Sequence, residues 1–323
     1  MTQFDKRELE QIAKERGFIV GTFEKVLRLK EILEWINNDP FLRDHLALKG
    51  GTAINLTIFS LPRLSVDIDM DYIPNKRKEE MMEDRTSIAR VISSYMEGEG
   101  YTLSPSSRFY HSLDGFYYRY INASGNMDVI KLELNYSLRA HVLEPVKRMI
   151  IADLPGEACA VLTLDPIEIY AAKINALLSR AAARDLYDVS NMIKSGILNG
   201  REDLLRKIVI FYSTVSQKTV DKKFSLESID NISFQKIRRD LFPVISSDER
   251  HKTFGLDERK DFTKKYLSEL LVLNDNENKY IDLFANGIYN PSLLFDDPEI
   301  LNRIEAHPMA LWKCKTIEKN IGN

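Results

Sequence analysis

The chain has 323 residues, enough for one large core or two smaller ones, and its 44% hydrophobic and 29% charged content is the balance of a folded globular protein rather than a disordered one. A formal net charge of -3, from 45 basic and 48 acidic residues, removes whole-molecule attraction to nucleic acid as an argument, so any such binding has to come from a local patch. The two cysteines, Cys159 and Cys314, stand far apart in no ligand spacing, which argues against a disulfide framework or a zinc site.

The opening Met1-Thr2-Gln3-Phe4-Asp5-Lys6 lacks an apolar signal core, and no run approaches the ~20 apolar residues of a spanning helix, so a cytoplasmic location without membrane contact is expected. Residues 5–16 and 22–37 read as helices, the second with Phe23, Val26, Leu27, Leu29, Leu33 and Ile36 at spacings near three and four, and Asn37-Asn38-Asp39-Pro40 ends it. Residues 46–49 form a short apolar lead into Gly50-Gly51, and Thr52 to Ile58 reads as the start of a helix. Ser65 to Tyr72 alternates strictly, with Asp67, Asp69 and Asp71 on one face of a strand and Val66, Ile68, Met70 and Tyr72 on the other.

Residues 76–97 read as a charged amphipathic helix, and the aromatic-rich stretch 100–123 as two or three strands. Asp128 to Tyr136 alternates again, Ile130, Leu132, Leu134 and Tyr136 opposing Val129, Lys131, Glu133 and Asn135. A strand at 158–163 follows, then a helix over 166–180 with Pro166 in its first turn. From Arg184 the pattern is helical almost to the end, with breaks near Gly196, Gly200, Pro243, Gly255 and Gly287. The expected class is α+β: a mixed β-sheet flanked by helices, followed by a C-terminal helical domain, with domains spanning 1–188 and 189–323.

Asp67 and Asp69, two apart on a strand, project from one face and can share a hard divalent cation such as magnesium or manganese. The bland alternative is the solvated outer face of an antiparallel sheet. Upstream, the missing side chains of Gly50-Gly51 before Thr52 would let backbone N–H groups approach phosphate, with the following helix presenting its positive end. Arg63 and Ser65 add a cation and a hydroxyl that would contact a triphosphate or position the strand. A third carboxylate is expected for phosphoryl-type transfer, and Glu133 is the first choice, with Asp71 the alternative; Lys131 beside it would neutralise phosphate charge.

Lys173, among Ile167, Tyr170, Ala171, Ile174 and Leu177, would be an ammonium at the edge of a core, aimed at phosphate or simply snorkelling. In the stretch from Arg180 to Asp188, Asp185 reads as base, metal-side ligand or ion-pair partner of an arginine. Walker, nucleophile-elbow and His-Glu-x-x-His motifs are absent from the sequence. The histidines, His45, His111, His141, His251 and His307, are scattered, and His111 in Phe109-Tyr110-His111 is the one to watch. Lys218, Lys222, Lys223, Lys236, Arg238 and Arg239 give residues 218–239 a basic bias that would meet phosphates or water.

Taken together, Leu48-Lys49-Gly50-Gly51-Thr52-Ala53, Arg63-Leu64-Ser65-Val66-Asp67-Ile68-Asp69, Lys131-Leu132-Glu133 and the stretch from Lys173 to Asp188 resemble the AbiEii/AbiGii nucleotidyltransferases, toxins of type IV toxin–antitoxin and abortive-infection systems within the DNA polymerase beta-like superfamily. The resemblance spans most of the chain, from Phe23-Glu24-Lys25 to His307-Pro308 and Trp312-Lys313. It implies a nucleotidyltransferase fold in which Lys49, Gly50, Gly51, Thr52, Arg63, Ser65, Lys131 and Lys173 hold an NTP. It also implies that Asp67, Asp69 and Glu133 bind the metal, while Lys173 and Asp185 complete the catalytic set. Where this chain has Glu133 the family more usually has aspartate.

The function so implied is metal-dependent transfer of NMP to an acceptor, RNA or tRNA or a protein, by a toxin neutralised by a cognate antitoxin. The alternatives are a non-catalytic nucleotide- or RNA-binding module and an enzyme that modifies a small molecule.

Overall fold

The computed structural model describes residue 2 and residues 4–216, 224–251 and 254–321. The chain divides into two compact units. The first runs to Arg139 and takes in Pro145–Leu164 and Phe242–Phe254; the second comprises Ala140–Glu144, Asp165–Leu241 and everything from Gly255 onward.

The first unit is built on a sheet of β1 (Leu46–Lys49), β2 (Asp67–Tyr72), β3 (Thr102–Leu103), β4 (Arg108–Phe109), β5 (Leu113–Ile121), β6 (Met127–Asn135), β7 (Val146–Met149) and β8 (Ala160–Thr163). Their order is β3-β5-β6-β2-β1-β8-β7, with β4 on β5. The sheet is mixed: β2 runs parallel to β6 and β1 parallel to β8, while the remaining pairs are antiparallel.

Alternation decides which face is covered. Ile68, Met70 and Tyr72 of β2, Ile130, Leu132 and Leu134 of β6, and Phe116, Tyr118 and Tyr120 of β5 are buried. Cross-face ties run from this side to the helices Val20–Asn38 and Lys78–Gly98, where Lys25 meets Asp128 at 2.7 Å, Arg28 lies over the Tyr120 ring, and the Tyr72 hydroxyl donates to Asp84 at 2.5 Å. The helices keep apolar stripes for this purpose, Phe23, Val26, Leu27, Leu29 and Leu33 on the first and Met81, Ile88, Ile92 and Met96 on the second. The acidic face of β2 is left on the opposite side.

The expected helices at 5–16, 22–37 and 76–97 are Lys6–Glu15, Val20–Asn38 and Lys78–Gly98. Two elements escaped the sequence reading. Asp39-Pro40, read as a stop, also starts Pro40–His45: the Asp39 carboxylate accepts from Leu42 N at 2.9 Å and Pro40 takes the first helical position. β7 pairs with β8 through four residues whose charged members gave no apolar periodicity.

The second unit is helical. Pro166–Arg180 begins with Asp165 accepting from Ile167 N at 2.8 Å, and packs with Ala183–Ser195 and Glu202–Ser216 around Leu186, Leu205, Ile208 and Phe211. Wholly inside it, the Glu168 carboxylate accepts from the His141 ring at 3.1 Å, from Val142 N at 3.2 Å, from Leu143 N at 3.0 Å and from the Tyr212 hydroxyl. Burial alone would push Glu168 up, but these donors outweigh it and hold the carboxyl below its ordinary range. Among the described residues no helix is long and apolar enough to cross a membrane. Of the basic run at 218–239, Lys218, Lys222 and Lys223 lie outside the described residues.

Candidate active site

β1 ends at Lys49 and the chain turns through Gly50 into one turn of α-helix, Gly50–Ala53, that continues as a π-helical segment, Ile54–Ile58. Gly50 has φ +69°, and a Cβ there would stand 2.9 Å from Asp69 Oδ2. A side chain here would be strained in the backbone and would crowd the aspartate, so glycine is favoured at this turn. A Cβ on Gly51 would meet Arg63 Nη2 at 2.6 Å and Ser65 Oγ at 3.0 Å, so the cation and hydroxyl expected from the sequence are packed against the glycine pair.

Polar bonds fix this turn. The Thr52 hydroxyl donates to Asp67 O, and Asn55 Nδ2 donates to Gly51 O at 2.6 Å. Asn55 Oδ1 accepts from Arg63 N at 3.4 Å, while Arg63 Nη1 donates to Leu64 O at 2.9 Å. Arg63 is almost wholly buried. Asn55 is a contributor that the sequence reading missed; nothing in its apolar-looking surroundings marked it.

Across the sheet, Lys49 pairs with Asp69, Asp69 with Glu133, and Asp67 with Lys131. Directly paired residues share a face, so Asp67, Asp69, Glu133 and Lys131 stand together beside the glycine turn. Two ammonium groups are already engaged: Lys49 with Asp71, whose side chain is 2% exposed, and Lys131 with Glu133. Burial pushes the Asp69 carboxyl up to about 6; Lys49 pulls it back, and the charges of Asp67 and Glu133 add to the rise.

Among the described residues no three carboxylates, imidazoles or thiolates already converge in a ligand arrangement, and the Glu133 carboxylate accepts from Lys131. The donor set nonetheless suits a hard divalent cation. It consists of oxygen atoms, and the buried charge and the repulsion that raise Asp69 are what such a cation would offset.

The other two predicted residues belong to the helical unit. Lys173 Nζ donates to Asp185 at 3.1 Å and to Asp188 at 3.0 Å, and Arg180 Nε donates to Asp185 at 2.7 Å. Asp185 is fully buried, so of the roles open to it in the sequence the ion-pair partnership is the one the geometry realises; Asp188 shares it. Both aspartates hang from Ala183–Ser195 and reach the lysine on Pro166–Arg180.

A glycine turn closed onto a strand bearing two carboxylates, within a mixed sheet and followed by helices, defines the nucleotidyltransferase class of site. The family model described as nucleotidyl transferase AbiEii toxin, type IV TA system, matches residues 31–267, and the chain belongs to that family. It is thus a nucleotidyltransferase of the toxin class. Among solved structures, MenT4, a nucleotidyltransferase toxin from Mycobacterium tuberculosis H37Rv, is similar with a TM-score of 0.64 at 15% identity, over 95% of this chain and 99% of that one; the likeness is one of fold. Comparison with the curated proteins gives no match.

Proposed function

We propose that the chain transfers NMP from an NTP to a hydroxyl of an acceptor, RNA or tRNA, as the toxin of a type IV pair restrained by a cognate antitoxin. The observation that carries this reading is the row Lys49, Asp69, Glu133 set against the left-handed turn at Gly50.

Asp67 and Asp69 would hold magnesium or manganese, with Glu133 the third ligand once it swings from Lys131; the bound cation would supply charge neutralisation at the α-phosphate and at the leaving oxygen. Gly50 and Gly51 admit the phosphates, and Thr52 ties the turn to β2. Ser65 and Arg63 back it from behind Gly51, and Lys49 and Lys131 offset the triphosphate charge. Within the helical unit Lys173 is held by Asp185 and Asp188, and its assignment to the nucleotide is carried by the family motif alone. The acceptor oxygen attacks the α-phosphorus, forming one P–O bond as the bond to the β-phosphate oxygen breaks. Pyrophosphate leaves with that electron pair, and the hydroxyl proton passes to a carboxylate of the cluster.

The test is incubation of the full chain with α-labelled NTPs, magnesium or manganese and total RNA. Label should enter RNA with the wild type and not with Asp67→Ala or Asp69→Ala, and the same variants should lose toxicity on expression. Absence of transfer with every NTP, together with undiminished toxicity of Asp67→Ala, would refute it.

A further inference from the structure

The open face of β5 carries a feature that the carboxylate cluster does not use. The ladder contacts Lys49 to Asp69, Asp69 to Glu133, Glu133 to Gly115 and Gly115 to Arg108 draw a single row across five strands, from the glycine turn to the sheet edge. One pleat along, the row reads Asp67, Lys131, Tyr117; the next pairs Val129 with Arg119. Gly115 is covered: a Cβ there would lie 3.4 Å from Arg108 O and 3.7 Å from Tyr117 Cε2, so the tyrosine ring leans along the strand over the glycine, toward the row of Asp69 and Glu133.

Arg119 is half-buried on this face. Its Nε is sealed from solvent and has no hydrogen-bond partner among the described residues, and no carboxylate pairs with its guanidinium there. The two terminal nitrogens are left to solvent, and a guanidinium with no anion from its own chain is open to one that arrives. Arg108 stands exposed at the edge, roughly two strand spacings or ~10 Å from Glu133. The nearby acids, Asp114 and Asp128, are committed to Arg85 and Lys25 on the covered side. The exposed side of β5 itself, Leu113, Gly115, Tyr117, Arg119 and Ile121, bears no acid.

We propose that this face is the acceptor track: it receives the single-stranded end of a polynucleotide, Arg119 and Arg108 holding phosphodiester oxygens while Tyr117 offers its ring to a base. The inference rests on the transfer reading above. Two spaced guanidinium groups bracketing an aromatic ring serve phosphate and base together, the combination by which single strands are bound without base-edge readout.

The test uses the full chain and a short fluorescein-labelled single-stranded oligoribonucleotide, with affinity followed by anisotropy across a salt series. Arg119→Gln should weaken binding about tenfold and flatten the plot of log affinity against log salt by about 0.7, the value for one lost contact on a single strand. Arg119→Lys should restore the slope, and Tyr117→Leu should lower affinity with the slope unchanged. Arg108→Gln, an exposed change with no packing role, repeats the slope test should Arg119→Gln fold poorly. Manganese–nucleotide affinity by calorimetry should stay within twofold in all four.

An oligonucleotide that does not bind, slopes unchanged in both glutamine variants, or a loss of nucleotide rather than RNA affinity would overturn the track; so would transfer to a protein acceptor that is indifferent to these residues. If RNA binding follows Arg119 but the wild type transfers no label to any RNA, the track stands and the transfer reading falls.

Discussion

Asp69 and Glu133 sit directly opposite each other on the parallel β2–β6 ladder, so two carboxylates from strands far apart in sequence leave the same face one strand spacing apart. Burial raises Asp69 first of all, and repulsion from Asp67 and from Glu133 adds to the rise. Because the folded value of about 6 lies above the ordinary 3.8, the group favours the fold while protonated; that contribution is complete below pH 4 and is lost as pH rises through 6. In chelator the melting temperature should therefore fall across this window by an amount worth on the order of 3 kcal/mol, and Asp69→Asn should remove that component. Added manganese should restore stability above pH 6. A melting curve with the same pH profile in Asp69→Asn would contradict this account.

Gly50→Ala tests the turn. Its φ of +69° and the 2.9 Å approach to Asp69 Oδ2 both work against a side chain, so a loss of about 1–2 kcal/mol in chemical denaturation is expected. Displacing Asp69 should also slow transfer, by up to about a hundredfold if the shift approaches 1 Å. A variant with full activity would mean that the aspartate does not need its present position.

Lys131 tests competition for Glu133. Removing the ammonium with Lys131→Met frees that carboxylate and deletes a cation, so manganese should bind more tightly by calorimetry while the KM for NTP rises. If manganese affinity falls instead, Glu133 is not a ligand in waiting.

How far the sequence carries is clearest at these strands. The alternation of β2 and β6 alone separates Asp67, Asp69, Lys131 and Glu133 from the buried Ile68, Leu132 and Leu134, because a pleat has a period of two whatever its neighbours. Their parallel pairing is invisible locally, since register depends on strands distant in the chain. The same limit hid Arg119, one charge in an aromatic stretch until its lack of a partner could be seen in three dimensions. The π-helical form of Ile54–Ile58 was out of reach too: its composition suits an α-helix equally well.

Glu168→Gln tests the helical unit. With the folded carboxyl held below its ordinary 4.5, the clamp stabilises above that pH and is lost only as pH falls through the lower folded value. At pH 7 glutamine turns one acceptor oxygen into a donor, which faces Leu143 N in one orientation of the amide and His141, Val142 N and Tyr212 in the other, and destabilisation of about 2–4 kcal/mol should follow in urea unfolding. A change below 1 kcal/mol would make the clamp incidental.

On the open side of β2 and β6 four acids, Asp67, Asp69, Asp71 and Glu133, face two lysines, Lys49 and Lys131, and the balance stays negative even with the guanidinium of Arg63 counted behind Gly51. A naked triphosphate approaching this surface meets its own sign, whereas one that carries a divalent ion does not. The order of arrival is thereby written into the strands: turnover at scarce metal should track the concentration of the ion–nucleotide complex, not that of nucleotide alone.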